Sequence, residues 1–377
     1  MTKMTRILML KNRKNELRAM SKILVYGSLP KGFIPLVEIV KEEKAYEKKV
    51  DHETGKYVTN PVKTTSGKIR HYKVNDPETE RDVTLSNLDR LFGKQLAFVE
   101  YFRGDLDNYK DYDPEKNRLV VELNLNLSKY QQKTLEISQH ENLVPVIAIK
   151  EGIDNVPLDQ LTSLINKIRA TVPGKAVAIR IDVIDGYEEA LEELLTPHDY
   201  LLFDISEQPI DSKEMEYEEL GQLNISAQKI LLCSPRKRDT EIKDFIHRDY
   251  TVLIDNSGID KFRGYGFTGY GDYGGLGDKL LARSFTNTSH PGRALALLYN
   301  GDKRAFKSYV CDDVTLGQTG YRQLLDLILQ DRDELDLNRD CIVYQELEDK
   351  IRRGVNCTYQ DWIQYTLMRY VQQLSAE

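Results

Sequence analysis

Short apolar runs alternate with charged, helix-patterned segments through the first three quarters of the chain. The runs are largely apolar and do not alternate with polar residues, which is typical of parallel strands buried on both faces. In the segment 158–169 between two runs, Leu161, Leu164, Ile165 and Ile168 share one helical face. The runs lie at 7–10, 33–39, 96–101, 143–149, 176–181, 200–205, 229–233 and 250–254.

This alternation predicts an α/β fold of the (β/α)8 TIM-barrel-like type over residues 1–285. An open doubly wound sheet is the structural alternative, but such a sheet usually carries a glycine-rich turn after its first strand. No such turn follows 7–10. The eighth barrel strand has two candidates, 250–254 and the glycine-rich run at 267–273, and the other segment would then be a connection.

Two long insertions interrupt the pattern, near 40–95 and 103–142, and the first contains a predicted hairpin turn at 51–56. Insertions of this length usually lie over one mouth of a barrel as lids or partner surfaces, although solvated decoration is the alternative. From 286 to 377 the pattern predicts a C-terminal α+β extension. Its elements are an antiparallel pair at 294–299 and 306–311, then helices at 321–329, 342–353 and 359–374.

Composition excludes several classes of protein. A formal net charge of −7 gives no general attraction to nucleic acid, so nucleic acid is not expected as a direct ligand. No apolar run has the length that a membrane helix needs, and the first ten residues lack a signal-peptide pattern. The four cysteines form no CxxC pair. We therefore expect a cytoplasmic protein without a membrane partner, a zinc cluster or a disulfide framework.

The most unusual segment is 264–277, in which half of the residues are glycine and most others are aromatic or acidic. Glycine at this density indicates either a mobile loop or close approach of another group to the main chain. Two literal GxGxxG matches begin at Gly264 and Gly269, but neither opens an amphipathic helix within a strand–helix–strand unit. A phosphate-cradling loop is therefore not predicted here.

Charged side chains follow most of the predicted strands, where the active sites of parallel barrels lie. Such a ring can bind a metal or an anionic substrate, or divide acid and base roles between two carboxylates. Alternatively, the charges simply pair with one another or meet solvent. The strand-end residues are Lys11, Glu38, Glu100, Lys150, Arg180, Asp182, Asp204, Ser234 and either Asp255 or Asp272.

Within this ring, Glu38, Arg180, Asp182 and Asp204 are the strongest candidates for a catalytic site, because strongly apolar residues precede them. The chain contains no GxSxG, HExxH or GxxxxGK[ST] motif, so its status as an enzyme stays open. No cofactor is identified. In one interpretation, Glu38, Asp182 and Asp204 hold a divalent cation while Arg180 binds an anionic substrate.

Several short segments form an ordered set along the chain. They are 8–11, 16–19, 33–39, 144–147, 178–182 and 271–273, followed by Asp340-Cys341, Gly354 and Trp362. In this order they resemble the phage Beta-protein family. The resemblance runs over nearly the whole chain, but Met368-Arg369-Tyr370 stands in the final helix where similar proteins often carry a histidine pair.

The resemblance implies an intracellular protein of phages, prophages and other mobile genetic elements that is associated with antiviral defence. Relatives are encoded beside toxic nuclease- or ATPase-like effectors, which implies a protein partner encoded nearby. No reaction can be carried over. The leading hypothesis is a component of a phage-defence or toxin-control module that acts with a protein partner through a charged barrel mouth. The alternative is a metal-dependent hydrolase of phosphate esters or nucleotides.

The resemblance also bears on the glycine run. Gly271-Asp272-Tyr273 is similar to a segment that the family carries at or near its last barrel strand. This placement predicts Asp272 at the same mouth as Glu38 and Arg180, as a further candidate catalytic residue. The surrounding glycines would then form a flexible rim.

Overall fold

A computed structural model describes residues 4–26, 29–64, 66–283, 293–316 and 319–375. Eight parallel strands form a closed barrel, which confirms the predicted (β/α)8 TIM-barrel-like fold. Strand β1 pairs with both β2 and β13, and this double pairing closes the barrel. The barrel strands are β1 (Thr5–Lys11), β2 (Phe33–Ile39), β7 (Ala97–Tyr101), β8 (Leu143–Ile149), β9 (Ala178–Ile181), β10 (Tyr200–Asp204), β11 (Gln228–Leu232) and β13 (Gly269–Asp272).

Each barrel strand except β13 contributes side chains to two apolar layers, because successive side chains point to opposite faces of a sheet. One layer fills the barrel interior and includes Met9, Leu36, Val146, Leu202 and Leu232. The other layer packs against the surrounding helices. The strands are apolar on both faces, and this is why they appear in the sequence as continuous runs.

The glycine-rich run supplies the eighth strand. Strand β13 is hydrogen-bonded between β1 and β11. A Cβ atom at Gly271 would lie 2.6 Å from the Cβ of Ile7 and 2.7 Å from Cδ2 of Leu232. Glycine is needed there because the neighbouring side chains already fill the interior. Residues 269–275 are buried, so the prediction that these glycines form a flexible rim is wrong.

The other candidate for the eighth strand lies outside the barrel. Its first residue belongs to β12 (Asp249–Tyr250), which pairs antiparallel with a strand of the C-terminal extension. The segment 250–254 is therefore a connection between β11 and β13.

The helices of the barrel occupy the segments between its strands. Helix α5 buries Leu161, Leu164, Ile165 and Ile168, as the sequence predicts. Helix α4 packs against β7 and β8, so the second half of the expected insertion at 103–142 is a barrel crossover. The helices are α1 (Lys14–Tyr26), α2 (Thr84–Phe92), α3 (Arg118–Leu125), α4 (Leu127–Ile137), α5 (Leu158–Thr171), α6 (Glu188–Leu194), α7 (Glu214–Gln222) and α8 (Gly258–Lys261).

The insertion after β2 forms an arm. Its base is a pairing of β3 (Lys44–Ala45) with β6 (Arg81–Asp82), and the predicted turn at 51–56 joins an antiparallel bridge between Val50 and Tyr57. Farther along, β4 (Thr59–Lys63) and β5 (Ile69–Lys73) form a two-stranded antiparallel ribbon. Every residue of these two strands is exposed.

The C-terminal extension contains the predicted antiparallel pair, β14 (Ala294–Asn300) and β15 (Ala305–Cys311), and the predicted helices. These helices are α9 (Gly320–Gln330), α10 (Ile342–Arg352) and α11 (Tyr359–Ser375). Helix α11 packs against both β14 and α1, which attaches the extension to the barrel. Within the described ranges, no helix combines the length and the apolar character that a membrane span requires.

Candidate functional site at the barrel mouth

Buried charged side chains gather at the carboxyl ends of the barrel strands. Lys11, Glu38, Glu100 and Arg180 lie two positions after Met9, Leu36, Phe98 and Ala178, which fill the interior. The period of two along a strand therefore points the charged groups into the barrel as well. Asp204 ends β10 in the same way, and Lys150 directly follows β8.

Arg180 lies at the centre of this group. Its Nη1 atom is 2.6 Å from Oε1 of Glu38 and 2.6 Å from Oε2 of Glu100. Its Nη2 and Nε atoms lie 2.7 and 2.8 Å from Oδ2 of Asp204. Burial opposes the charge of Arg180, but the three carboxylates raise its pKa well above the usual value.

Lys11 forms the second centre. Its Nζ atom lies 2.6 Å from Oε2 of Glu38 and 2.7 Å from Oδ1 of Asp278. Asp278 also accepts hydrogen bonds of 2.6 Å from Nη2 of Arg238 and from the hydroxyl of Tyr109. Burial opposes the ionisation of Asp278, yet Lys11 and Arg238 hold its pKa well below the usual range. The pKa of Glu38 is likewise lowered, because Lys11 and Arg180 outweigh burial.

The remaining contacts complete the set. Nζ of Lys150 donates to Oε1 of Glu100 at 3.1 Å, and the hydroxyl of Tyr273 donates to Oε1 of Glu38 at 2.8 Å. Four cations face four carboxylates in this set, and each of these carboxylates touches at least one cation; at its edge, Nε of Arg238 also lies 3.5 Å from Oε1 of Glu207. We call this set the mouth network; its members are Lys11, Glu38, Glu100, Lys150, Arg180, Asp204, Arg238 and Asp278.

Of the predicted site residues, Glu38, Arg180 and Asp204 come together. Asp182 does not join them: its Oδ1 atom accepts a hydrogen bond of 2.8 Å from the amide of Glu151. Burial raises the pKa of Asp182 to about 6. Its side chain is a separate, partly buried carboxyl next to the mouth.

The prediction that Asp272 shares the mouth with Glu38 and Arg180 is wrong. Asp272 accepts hydrogen bonds from the hydroxyl of Tyr370 on α11 and from the amide of Gly274. Because side chains alternate along β13, its neighbour Tyr273 faces the interior and Asp272 faces the C-terminal extension. The other candidate, Asp255, is exposed and accepts from the amide of Ser257.

Several members of the site were missed at the sequence level. Asp278, Arg238 and Tyr109 lie in loops, where no strand-end position identifies them. Tyr273 follows β13 directly. Because it lies two positions after Gly271, the alternation along a strand predicts that its side chain also faces the barrel interior. Asp278 offers a weaker signal, because it is an acidic residue that closes the glycine-rich run.

The residues proposed to hold a divalent cation do not fit that role. Glu38 and Asp204 both direct oxygens at Arg180, while Asp182 binds a backbone amide. Throughout the described part of the chain, no group of three or more His, Cys, Asp or Glu residues is arranged to hold a metal ion. The three carboxylates are therefore already satisfied by Arg180 or by a backbone amide.

A cavity of about 780 Å³ lies beside the mouth network. Lys11 and Tyr273 of the mouth line one side, and Trp362 and Ile363 of α11 line another. The C-terminal extension therefore forms one wall of a partly open cavity beside the barrel mouth. A ligand in this cavity would lie next to the Lys11 end of the network.

Comparison with known proteins does not assign a family or a function to this chain. No family model matches the chain, and no curated protein matches it at a significant level. The resemblance to the phage Beta-protein family therefore stays a hypothesis that depends on the short ordered segments.

Proposed function

We propose that this protein is a binding component of a phage-defence or toxin-control module and acts with a protein partner through its barrel mouth. The biological setting comes from the resemblance to the phage Beta-protein family. The mouth network is the observation that supports binding over catalysis. A carboxylate held by a guanidinium or ammonium group has a lowered pKa, which makes it a poor general base at neutral pH.

The exposed ribbon of β4 and β5 supports a partner with an acidic surface. Val62, Ile69 and Tyr72 are exposed on it, although large apolar side chains usually find cover. The stretch 56–73 has no Asp or Glu, in a chain whose net charge is −7. An acidic partner would cover the apolar side chains and complement the cations. These cations are Lys56, Lys63, Lys68, Arg70 and Lys73.

Co-expression with the product of the neighbouring gene, followed by affinity pull-down and titration of the purified complex, tests this proposal. We expect a complex whose dissociation constant rises roughly tenfold or more in the variant K63E/R70E. The two substitutions replace electrostatic attraction between the ribbon and an acidic partner by repulsion. The matched control K94E/K167E reverses two exposed lysines outside the ribbon and should bind like the wild type.

Two results would reject the proposal. One is the lack of any complex together with an unchanged phage titre. The other is binding of duplex DNA or RNA at low salt, lost in K63E/R70E, with no protein bound. That second result would assign the ribbon to nucleic acid.

No observation on the described residues supports the alternative, a metal-dependent hydrolase. It predicts that Mn²⁺ binds with a calorimetric signal that D204N abolishes. The geometry predicts no such signal, because Arg180 and not open space faces Asp204.

A further inference from the structure

The cavity between the barrel mouth and the C-terminal extension has a cationic lining. Six cations and two acids, Glu16 and Glu241, contribute to it. An excess of positive charge in a cleft attracts anions, because field lines are concentrated between its low-dielectric walls. The cations are Lys11, Arg13, Arg236, Lys243, Lys279 and Arg293.

Four of these cations are compensated. Lys11 belongs to the mouth network, and Arg13 lies 3.6 Å from Oε1 of Glu16. Lys243 is 2.8 Å from Glu241, and Arg293 is 3.1 Å from Asp312.

Within the described ranges, Arg236 and Lys279 form no ion pair, although Asp239, Glu207 and Glu241 lie near enough to Lys279 to favour its charge. Among the described residues, neither has a carboxylate within ion-pair distance. The residues outside the described ranges include a single acid, Glu377.

The surroundings of Arg236 and Lys279 make it unfavourable to keep these side chains charged. The guanidinium of Arg236 stacks over Phe245 at 5.0 Å, and its buried Nε atom has no hydrogen-bond partner within the described structure. Nζ of Lys279 donates to the carbonyl of Thr240 at 3.2 Å. Burial lowers the pKa of both, and the charge of Arg236 lowers that of Lys279 further. A bound anion would remove this penalty.

The other lining residues indicate the chemical nature of the uncharged part of the ligand. Leu295, Leu297 and Ile363 form an apolar wall, and Trp362 lies beside them. Two more buried donors, Nε of Arg13 and Nε1 of Trp362, have no acceptor among the described residues. The site therefore offers cations and N–H donors together with an apolar, aromatic surface.

We propose that this cavity binds a small organic anion that joins a phosphate or carboxylate group to an apolar ring. Arg236 and Lys279 bind the anionic group, and the wall around Trp362 contacts the ring. The cavity volume of about 780 Å³ falls within the usual range for small-molecule sites. No residue of the ribbon of β4 and β5 lines this cavity, so the site does not require the partner.

Calorimetric titration of the isolated full chain tests the proposal with four probes. AMP carries a phosphate and a ring, benzoate carries a carboxylate and a ring, adenosine has the ring alone, and inorganic phosphate has the charge alone. We expect AMP or benzoate to bind with a dissociation constant of about 1 mM or tighter, and the other two at least roughly tenfold more weakly. Comparison of benzoate with phenyl phosphate, which share the ring, identifies the anionic group.

Variants identify the site. R236Q/K279Q should weaken binding at least roughly tenfold, the loss expected for removing charge-assisted contacts. The matched control is R263Q, because Arg263 also stacks on a phenylalanine, Phe262, at 5.5 Å, but at the other end of the barrel. Circular dichroism verifies that both variants are folded, and the single variant R236Q replaces the double variant if it is not.

Three outcomes would overturn the proposal. They are no binding of AMP or benzoate, equal binding of AMP and inorganic phosphate, and equal losses in R236Q/K279Q and R263Q. Because the partner is absent from this experiment, its failure is separate from failure of the proposed function.

Discussion

Replacing Arg180 by methionine removes the central cation of the mouth network while keeping much of its volume. Glu38 would keep Lys11 at 2.6 Å, and Glu100 would keep Lys150 at 3.1 Å. Asp204 has no second cation within ion-pair distance in the described structure and would retain only the amide of Ser206, at 2.8 Å. R180M therefore leaves one buried carboxylate without a counterion.

The expected loss of stability follows from this one uncompensated carboxylate. Removing one partner of a buried ion pair costs about 3–5 kcal/mol, because the other charge stays desolvated. A native domain has a free energy of unfolding of only about 5–15 kcal/mol. We therefore expect R180M to fold but to lose a large fraction of its stability at pH 7.

Urea denaturation followed by circular dichroism at pH 7 and pH 3 measures this loss. In the wild type, burial opposes the ionisation of Glu38, but Lys11 and Arg180 lower its pKa below the usual value. Its contribution to stability is therefore full at pH 7 and is lost as the pH falls through the lowered pKa. R180M removes one of these two cations, so the variant loses less stability on acidification than the wild type does. The difference between the two proteins should shrink from pH 7 to pH 3.

The double variant R180M/D204N is the internal control. It removes the uncompensated charge and should recover at least half of the lost stability at pH 7. A loss below about 1 kcal/mol in R180M would refute the reasoning, since it is far below the cost of an unpaired buried charge. A loss that does not change between pH 7 and pH 3 would also refute it.

Two further predictions concern single positions. G271A should lower the free energy of unfolding by about 1–3 kcal/mol through overpacking against Ile7 and Leu232. Thermal denaturation should show this loss and none in G264A, where the added Cβ has no atom within 4 Å. The pKa of Asp182, raised to about 6, lies above its unfolded value of about 3.9. Its stabilising contribution is therefore full below pH 4 and is lost as pH rises through 6. D182N should be more stable than the wild type at pH 8 but not at pH 4 in urea denaturation, and an NMR titration midpoint near 4 would contradict this.

The barrel could be predicted because the sequence patterns that specify its strands and helices lie within single segments of the chain. Parallel strands buried on both faces leave continuous apolar runs, and helices such as α5 leave an apolar face at a period of 3.6. The same logic identified Glu38, Arg180 and Asp204. Each follows a strongly apolar run, and the alternation along the strand carries it into the interior.

The metal interpretation treated Asp182 as equivalent to Glu38 and Asp204. The tertiary structure separates them, because the amide of Glu151 binds Asp182 while Arg180 binds the other two. Neither contact has a signature in the chain, since each partner comes from a different strand–helix unit. The pairing of charges across the barrel was therefore beyond the reach of local patterns.

The sequence by itself determined the class of fold, the number of strand–helix units and the strand ends at which charges accumulate, because periodicity and burial are properties of each segment. Only the tertiary structure decided that 269–272 is the eighth strand, because its glycines fit the space left by Ile7 and Leu232. It also decided that Asp272 faces α11 and that Asp278, from a loop, completes the mouth network. These outcomes depend on which segments meet across the barrel, and that information is distributed over distant parts of the chain.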